Sequence, residues 1–216
     1  YIQSEGNITL LPSSIPKGLD ISGDGKTIVA TDYDLLKVAG VSGNQLSSIF
    51  NGSSQDPTSG YGESSAISSD GSTIIVSELN NYRLWVYKNN QFSSFIQPSD
   101  FVQGEKFGFK LALSSDASTL IVTSFINGPA PSFIRIFRLQ SNGTYGQIGA
   151  RISSGLVIGY GNSIAISNDG KIIIVANPQA SKTYVYNFNN GTLNLIQEID
   201  SPGSSYDFRG SGVELS

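Results

Sequence analysis

The 216-residue chain contains no cysteine, no histidine and no methionine. Without Cys and His, zinc-finger ligation, thiol redox chemistry and Cys/His nucleophile systems are excluded. A Ser-His-Asp triad is excluded too, because its base is missing. Charge is sparse: 14% of residues are charged and the formal net charge is −4. A mildly acidic chain with scattered charge is a poor nucleic-acid ligand, so no nucleic-acid partner is expected. No apolar run approaches the roughly 20 residues of a membrane-spanning helix, and no signal-peptide pattern is visible. The chain starts at Tyr1 and lacks an initiator Met, which reads as a processed or excised piece of a longer precursor.

What is present is turn chemistry and aromatic residues: 24 Gly, 35 Ser, 10 Tyr and 11 Phe, with 38% hydrophobic residues. That is enough for a core, and too little net charge for a disordered chain. Internal repeats organise the chain. Segments beginning at Gly18, Ser64, Lys110 and Ser163 align, each as a short alternating stretch, a Ser-x-Asp turn and an apolar run ending in Val. The shared acids are Asp24, Asp70, Asp116 and Asp169, at spacings of 46, 46 and 53 residues.

Each repeat parses into four short strands. In the second repeat strand a covers 64–68, strand b 73–77, strand c 82–88 and strand d 92–97. The a–b connection is an Asp turn followed by Gly in three of the four copies, and the c–d connections are Asn-Asn, Ser-Asn-Gly and Asn-Asn-Gly turns. Strand b is nearly all apolar, as at 172–175, which fits a strand covered on both faces. No segment shows capped helical periodicity. The expected fold is therefore all-β: a β-propeller of four-stranded antiparallel blades. Four complete blades are expected at 17–60, 61–106, 107–159 and 160–208, with a partial blade at 1–16 and a first strand of another at 209–216. These end pieces could close a ring of about five blades, or the chain could be a slice of a larger propeller. The slice is preferred, because a composite blade would lack its strand b.

Tyr61-Gly62, Phe107-Gly108 and Tyr160-Gly161 each precede an alternating strand and an Asp turn, with Phe208-Arg209-Gly210 as a looser copy. This pattern resembles the FG-GAP repeat of integrin-α-like propellers and secreted microbial surface proteins. Bacterial surface propellers with an Asp-Gly-Lys turn are a close second resemblance. The resemblance implies an extracellular or cell-surface protein that binds other proteins or glycans through its loop face. Copies of itself, or the rest of a longer chain, are further partners it allows. Calcium is the metal the family would bring, but the Asp-x-Asp-x-Asp-Gly loop is absent. No metal site and no cofactor are therefore expected.

Ligands of propellers sit on the face formed by the d–a and b–c connections, which here are long and irregular. Its carboxylates are Asp32, Asp34, Asp56, Glu78, Asp100, Glu105 and Asp207. Solvated loop charge is the plain reading of these. A paired-carboxylate hydrolase is the sharper one, and needs two of them about 5–10 Å apart. The repeated Asp24, Asp70, Asp116 and Asp169 read as turn formers and not as a carboxylate ring. Trp85 and Tyr87 read as inter-blade packing, and Arg83, Arg135 and Arg138 as solvated rim charges. Asn7, Asn51, Asn142 and Asn190 open N-x-Ser/Thr acceptors for N-glycosylation, the last two in matching c–d turns. The poverty of catalytic groups favours a non-enzymatic adhesion, protein-binding or structural filament or coat module. The alternative is a carboxylate-dependent glycan hydrolase or lyase on the same scaffold.

Overall fold

A computed structural model describes residues 17–32, 34–43, 45–126, 132–153, 161–200 and 215. The fold is all-β. Four antiparallel sheets follow one another along the chain, each a four-stranded meander whose spatial order is its chain order, the blade unit of a β-propeller. The first comprises β1 (Gly18–Ile21), β2 (Thr27–Asp32), β3 (Leu35–Ser42) and β4 (Gln45–Gly52). The second comprises β5 (Tyr61–Ile67), β6 (Thr73–Glu78), β7 (Arg83–Lys88) and β8 (Gln91–Ile96). The third comprises β9 (Glu105–Leu113), β10 (Thr119–Ile126), β11 (Phe133–Leu139) and β12 (Tyr145–Ser153). The fourth comprises β13 (Ser163–Ile166), β14 (Ile172–Asn177), β15 (Lys182–Asn189) and β16 (Thr192–Asp200). The partial blades expected at both ends lie outside the described residues.

The chain divides into two compact units, Tyr1–Gln97 and Pro98–Ser216, each holding two blades. In the first unit Val29, Leu36 and Val38 of one blade pack on Tyr61, Ile67, Ile74, Val76 and Tyr87 of the next, with Phe50 and Trp85 at the margin. In the second unit Ile121, Ile134 and Ile136 face Ile166, Ile173, Val175 and Phe188. The second strand of a blade is covered on both faces, so β6 is buried along its whole length, as its apolar run predicts. Neither blade of a pair could hide these side chains alone.

The four repeated acids build one turn four times. Ser22 Oγ donates to Asp24 Oδ1 (2.7 Å), the Lys26 amide donates to the same oxygen (2.9 Å), and the Thr27 amide donates back to Ser22 Oγ (2.9 Å). The same three bonds recur around Asp70, Asp116 and Asp169. Hydrogen bonds to the ionised form depress all four carboxyls below their ordinary range, Asp169 to about 2. These are turn formers, as expected.

The aromatic-Gly pair does more than open a strand. In the second blade the first strand starts at Tyr61, three residues before the expected start, and Gly62 lies in the left-handed region at φ +84°. There the pairing with β6 shifts register between Tyr61 and Ser65, and Ser77 Oγ accepts the Ser64 amide across the irregularity (2.9 Å). A Cβ on Gly62 would stand 3.2 Å from the Asp32 carbonyl oxygen and 3.2 Å from Thr31 Cβ of the preceding blade. Thr31 Oγ1 donates to the Gly62 carbonyl across the same contact (2.8 Å). Gly161 repeats this against Thr123 in the second unit.

Candidate active site

In each blade the second strand carries, at or near its long-loop end, a buried polar residue: Asp32, Glu78, Ser124 and Asn177. Strand pairing fixes the equivalence, since Glu78 faces Arg83 as Ser124 faces Phe133 and Asn177 faces Lys182. A polar group at this depth needs partners, and the second and third blades supply them differently.

In the second blade Glu78 Oε1 accepts from Asn81 Nδ2 (2.9 Å), and Oε2 accepts from Trp85 Nε1 (2.8 Å) and from Arg83 Nε. Burial pushes the Glu78 carboxyl up, and the hydrogen bonds from Arg83, Asn81 and Trp85 outweigh it, leaving the group below its ordinary value. In the third blade Arg135 lies where Trp85 stands in the second, opposite Val122 as Trp85 is opposite Val76. Its side chain is fully buried. Its guanidinium donates to both oxygens of Glu105, to Ser124 Oγ (2.9 Å) and to Asp100 Oδ1 (2.7 Å). Ser124 Oγ donates to Glu105 Oε1. Asp100 also accepts from the Arg151 amide (2.8 Å) and from Gln147 Nε2 (3.2 Å). Burial raises the Asp100 carboxyl, but Arg135, the Arg151 amide and Gln147 overcome this and hold it at about 2. The rim position expected for Arg135 is corrected by this network. A guanidinium there is tolerated because two carboxylates and a hydroxyl meet its fork.

Solvated loop charge is likewise the wrong description of Asp32, Glu78 and Glu105, all of which are buried. Glu105 belongs to β9 and not to a loop. With every oxygen of Glu78, Asp100 and Glu105 engaged, these acids brace the loop end.

Asp34 and Asp56 differ. Asp34 occupies the turn between β2 and β3 in the left-handed region (φ +67°), a conformation Asp tolerates, and its amide donates to the Tyr61 carbonyl of the next blade (3.3 Å). Oδ1 accepts from Ser54 Oγ, and Ser54 Oγ contacts Ser59 Oγ at 2.9 Å. With the Ser54 proton on the carboxylate, Ser59 donates to Ser54, so two hydroxyls run in series onto one oxygen. Ser54 Oγ also accepts the Asp56 amide (3.1 Å), which ties the 53–59 loop to this point. Among the described residues Asp34 Oδ2 accepts no hydrogen bond, and the residue is half-buried. Asp56 is exposed and is held below its ordinary carboxyl value by the Thr58 hydroxyl and amide. Ser54 thus links the two predicted acids, and neither Ser54 nor Ser59 stands out in a chain so rich in serine.

Asp207 and Asn7 lie outside the described residues. Asn51 is exposed on β4, and Asn142 and Asn190 are exposed in the β11–β12 and β15–β16 turns. Trp85 packs against the first unit's core, with Tyr61 edge-on at 5.6 Å between ring centroids. Burial, and then the neighbouring Tyr87, push the Tyr61 hydroxyl well above its ordinary range. Among the described residues no three acidic side chains group as a metal site would require.

No protein-family model matches the sequence, and no curated protein matches it. Solved structures do. The periplasmic gluconolactonase of Pseudomonas aeruginosa matches at 20% identity and TM-score 0.61, over 85% of this chain and 53% of its own. A Bacteroides uniformis protein provisionally named 6-phosphogluconolactonase matches at 20% identity and TM-score 0.66, over 85% and 54%. The WD40 domain of Toxoplasma gondii coronin matches at 14% identity and TM-score 0.61, over 85% and 45%. The chain thus spans about half the length of these structures. They establish the propeller fold and give no support to the FG-GAP family in particular. They also overturn the expectation of a non-enzymatic, integrin-like adhesion or structural module: several of the similar folds bear the names of lactone hydrolases, and the hydrolase alternative fits them better.

Proposed function

We propose that the chain forms part of a propeller hydrolase that opens a cyclic ester of a sugar acid, with Asp34 as the general base. The observation that carries this reading is the half-buried Asp34 carboxylate, with one oxygen fixed by Ser54 and Ser59 and the other open at the loop end. The likeness to lactonase folds supplies the substrate class. Ester hydrolysis needs neither Cys nor His. Oδ2 takes a proton from water, the resulting hydroxide adds to the ester carbonyl carbon, the ring C–O bond breaks, and the alkoxide recovers the proton. Ser54 and Ser59 hold the carboxylate in place.

The test is hydrolysis of glucono-δ-lactone and its 6-phosphate by the whole protein. Asp34→Asn should lower kcat by about 10²–10⁴-fold, the usual contribution of a positioned base, without lowering Tm. Full activity in that variant, or no lactone hydrolysis by the unsubstituted protein, overturns the reading.

A further inference from the structure

The second unit holds a cavity of about 590 Å³ at the opposite, tight-turn end of its blades. It lies between the turns of the third and fourth blades, at the opposite end from the loop-end acids, and its volume falls within the roughly 300–1,000 Å³ of small-molecule clefts. We propose that this cavity is a binding site for a neutral saccharide, independent of the hydrolase reading.

Four charged groups line it: Asp116, Asp169, Arg138 and Lys171. Two negative and two positive charges sum to zero. An anionic ligand would meet both carboxylates, and a cationic one would meet the guanidinium and the ammonium. A neutral ligand that both donates and accepts meets no such penalty. The groups also have capacity to spare. Arg138 Nη1 donates to Thr119 Oγ1 (3.1 Å), and among the described residues Nε and Nη2 donate to nothing. Asp116 commits Oδ1 to the Ser114 hydroxyl and the Ser118 amide, leaving Oδ2 as an acceptor. The Asn190 carboxamide makes no hydrogen bond among the described residues, and its backbone is held in the left-handed region at φ +49°. A planar guanidinium, a carboxylate and an amide around one cavity match the alternating donors and acceptors of vicinal hydroxyls. Ile148 supplies an apolar edge for the C–H face of a sugar ring, and the buried Phe188 ring backs the Arg138 guanidinium, 5.9 Å from its centroid.

One lining residue also suggests a source for the ring. Asn190 begins the acceptor Asn190-Gly191-Thr192, so a glycan attached there would start at the cavity's edge. A tethered and a free saccharide share the same recognition chemistry, and the test separates them.

Protein made in a host without N-glycosylation is titrated with N,N′-diacetylchitobiose and with maltose, followed by NMR or calorimetry. Saturable binding of at least one is expected. Arg138→Ala should weaken it at least tenfold at unchanged Tm, and Asp34→Asn should leave it unaltered. No saturable binding of either sugar, or binding indifferent to Arg138→Ala, overturns the proposal. The binding is then repeated on protein secreted from a glycosylating host, with intact mass measured. A glycan on Asn190 together with lost binding assigns the cavity to the chain's own sugar. Persisting binding assigns it to a free one.

Discussion

The second and third blades place acids and a guanidinium at the same end, and satisfy them in opposite ways. In the second, the acid is on the strand end itself and its partner Arg83 keeps 29% of its side chain in solvent. In the third, the equivalent strand position is Ser124, the acids come from Asp100 and Glu105, Arg135 is sealed from water, and the exposed member is Asp100, at 30%. Burying the cation moves it out of the range where a surface ion pair is worth little and into one where losing a partner is costly. The same blade position thus serves as a half-open clasp in one case and a sealed one in the other.

The largest test of that contrast is Arg135→Ala. It strands the Glu105 carboxylate in the interior and takes the cation from the partly exposed Asp100, and should cost about 3–5 kcal/mol of stability by chemical denaturation, the usual range for breaking a buried pair from one side. Arg135→Met, of similar length, should lose nearly as much, because the buried Glu105 stays without a cation. If either variant is as stable as the parent, the sealed network is not what braces the third blade. Next comes Glu78→Leu, which leaves the Trp85 and Asn81 donors and the Arg83 charge without an acceptor. A loss of about 1–3 kcal/mol is expected. Arg83→Ala should lose less than Arg135→Ala, about 1–2 kcal/mol, since Glu78 is buried but keeps the Asn81 and Trp85 donors. Equal losses for Arg83→Ala and Arg135→Ala would erase the distinction between the two blades.

The smallest effect is in acid. The Asp100 carboxyl lies lower in the folded protein, at about 2, than the ordinary value of about 3.9. Its stabilising contribution is therefore complete above about pH 4 and disappears as pH falls towards 2. Denaturant midpoints measured across that window should fall less steeply in Asp100→Asn than in the parent. Parallel slopes would mean that Arg135 does not hold the Asp100 proton off.

Much of this fold is legible in the sequence, because it rests on local chemistry that repeats. Asp24, Asp70, Asp116 and Asp169 announce the first turn of every blade, and the apolar runs announce the strands that follow. Arg135 is misread because a cation between Ile134 and Ile136 in a strand of alternating character looks outward by pattern. What draws it inward is Glu105, thirty residues earlier, and no local period records that pairing. Asp34 and Asp56 are visible as loop acids, but Ser54 and Ser59 cannot be told from the other serines around them. The expectation of no catalysis rests on absences alone. Missing Cys and His remove particular nucleophiles and bases, and a carboxylate with water needs neither.

The contact between Gly62 and Thr31, and its counterpart between Gly161 and Thr123, bears on how such a chain tolerates change in length. Tyr61 to Asp70, Phe107 to Asp116 and Tyr160 to Asp169 are each nine residues apart, although the repeats themselves differ by seven (53 against 46). The stretch from notch to turn is phase-locked, because a residue added there would drive a side chain into the neighbouring blade's threonine or shift the turn off its serine. Outside that stretch the chain can drift. The inner strands keep time for the array, and insertions accumulate in the connections beyond them, where new binding loops can be tried without disturbing the meshing of the blades.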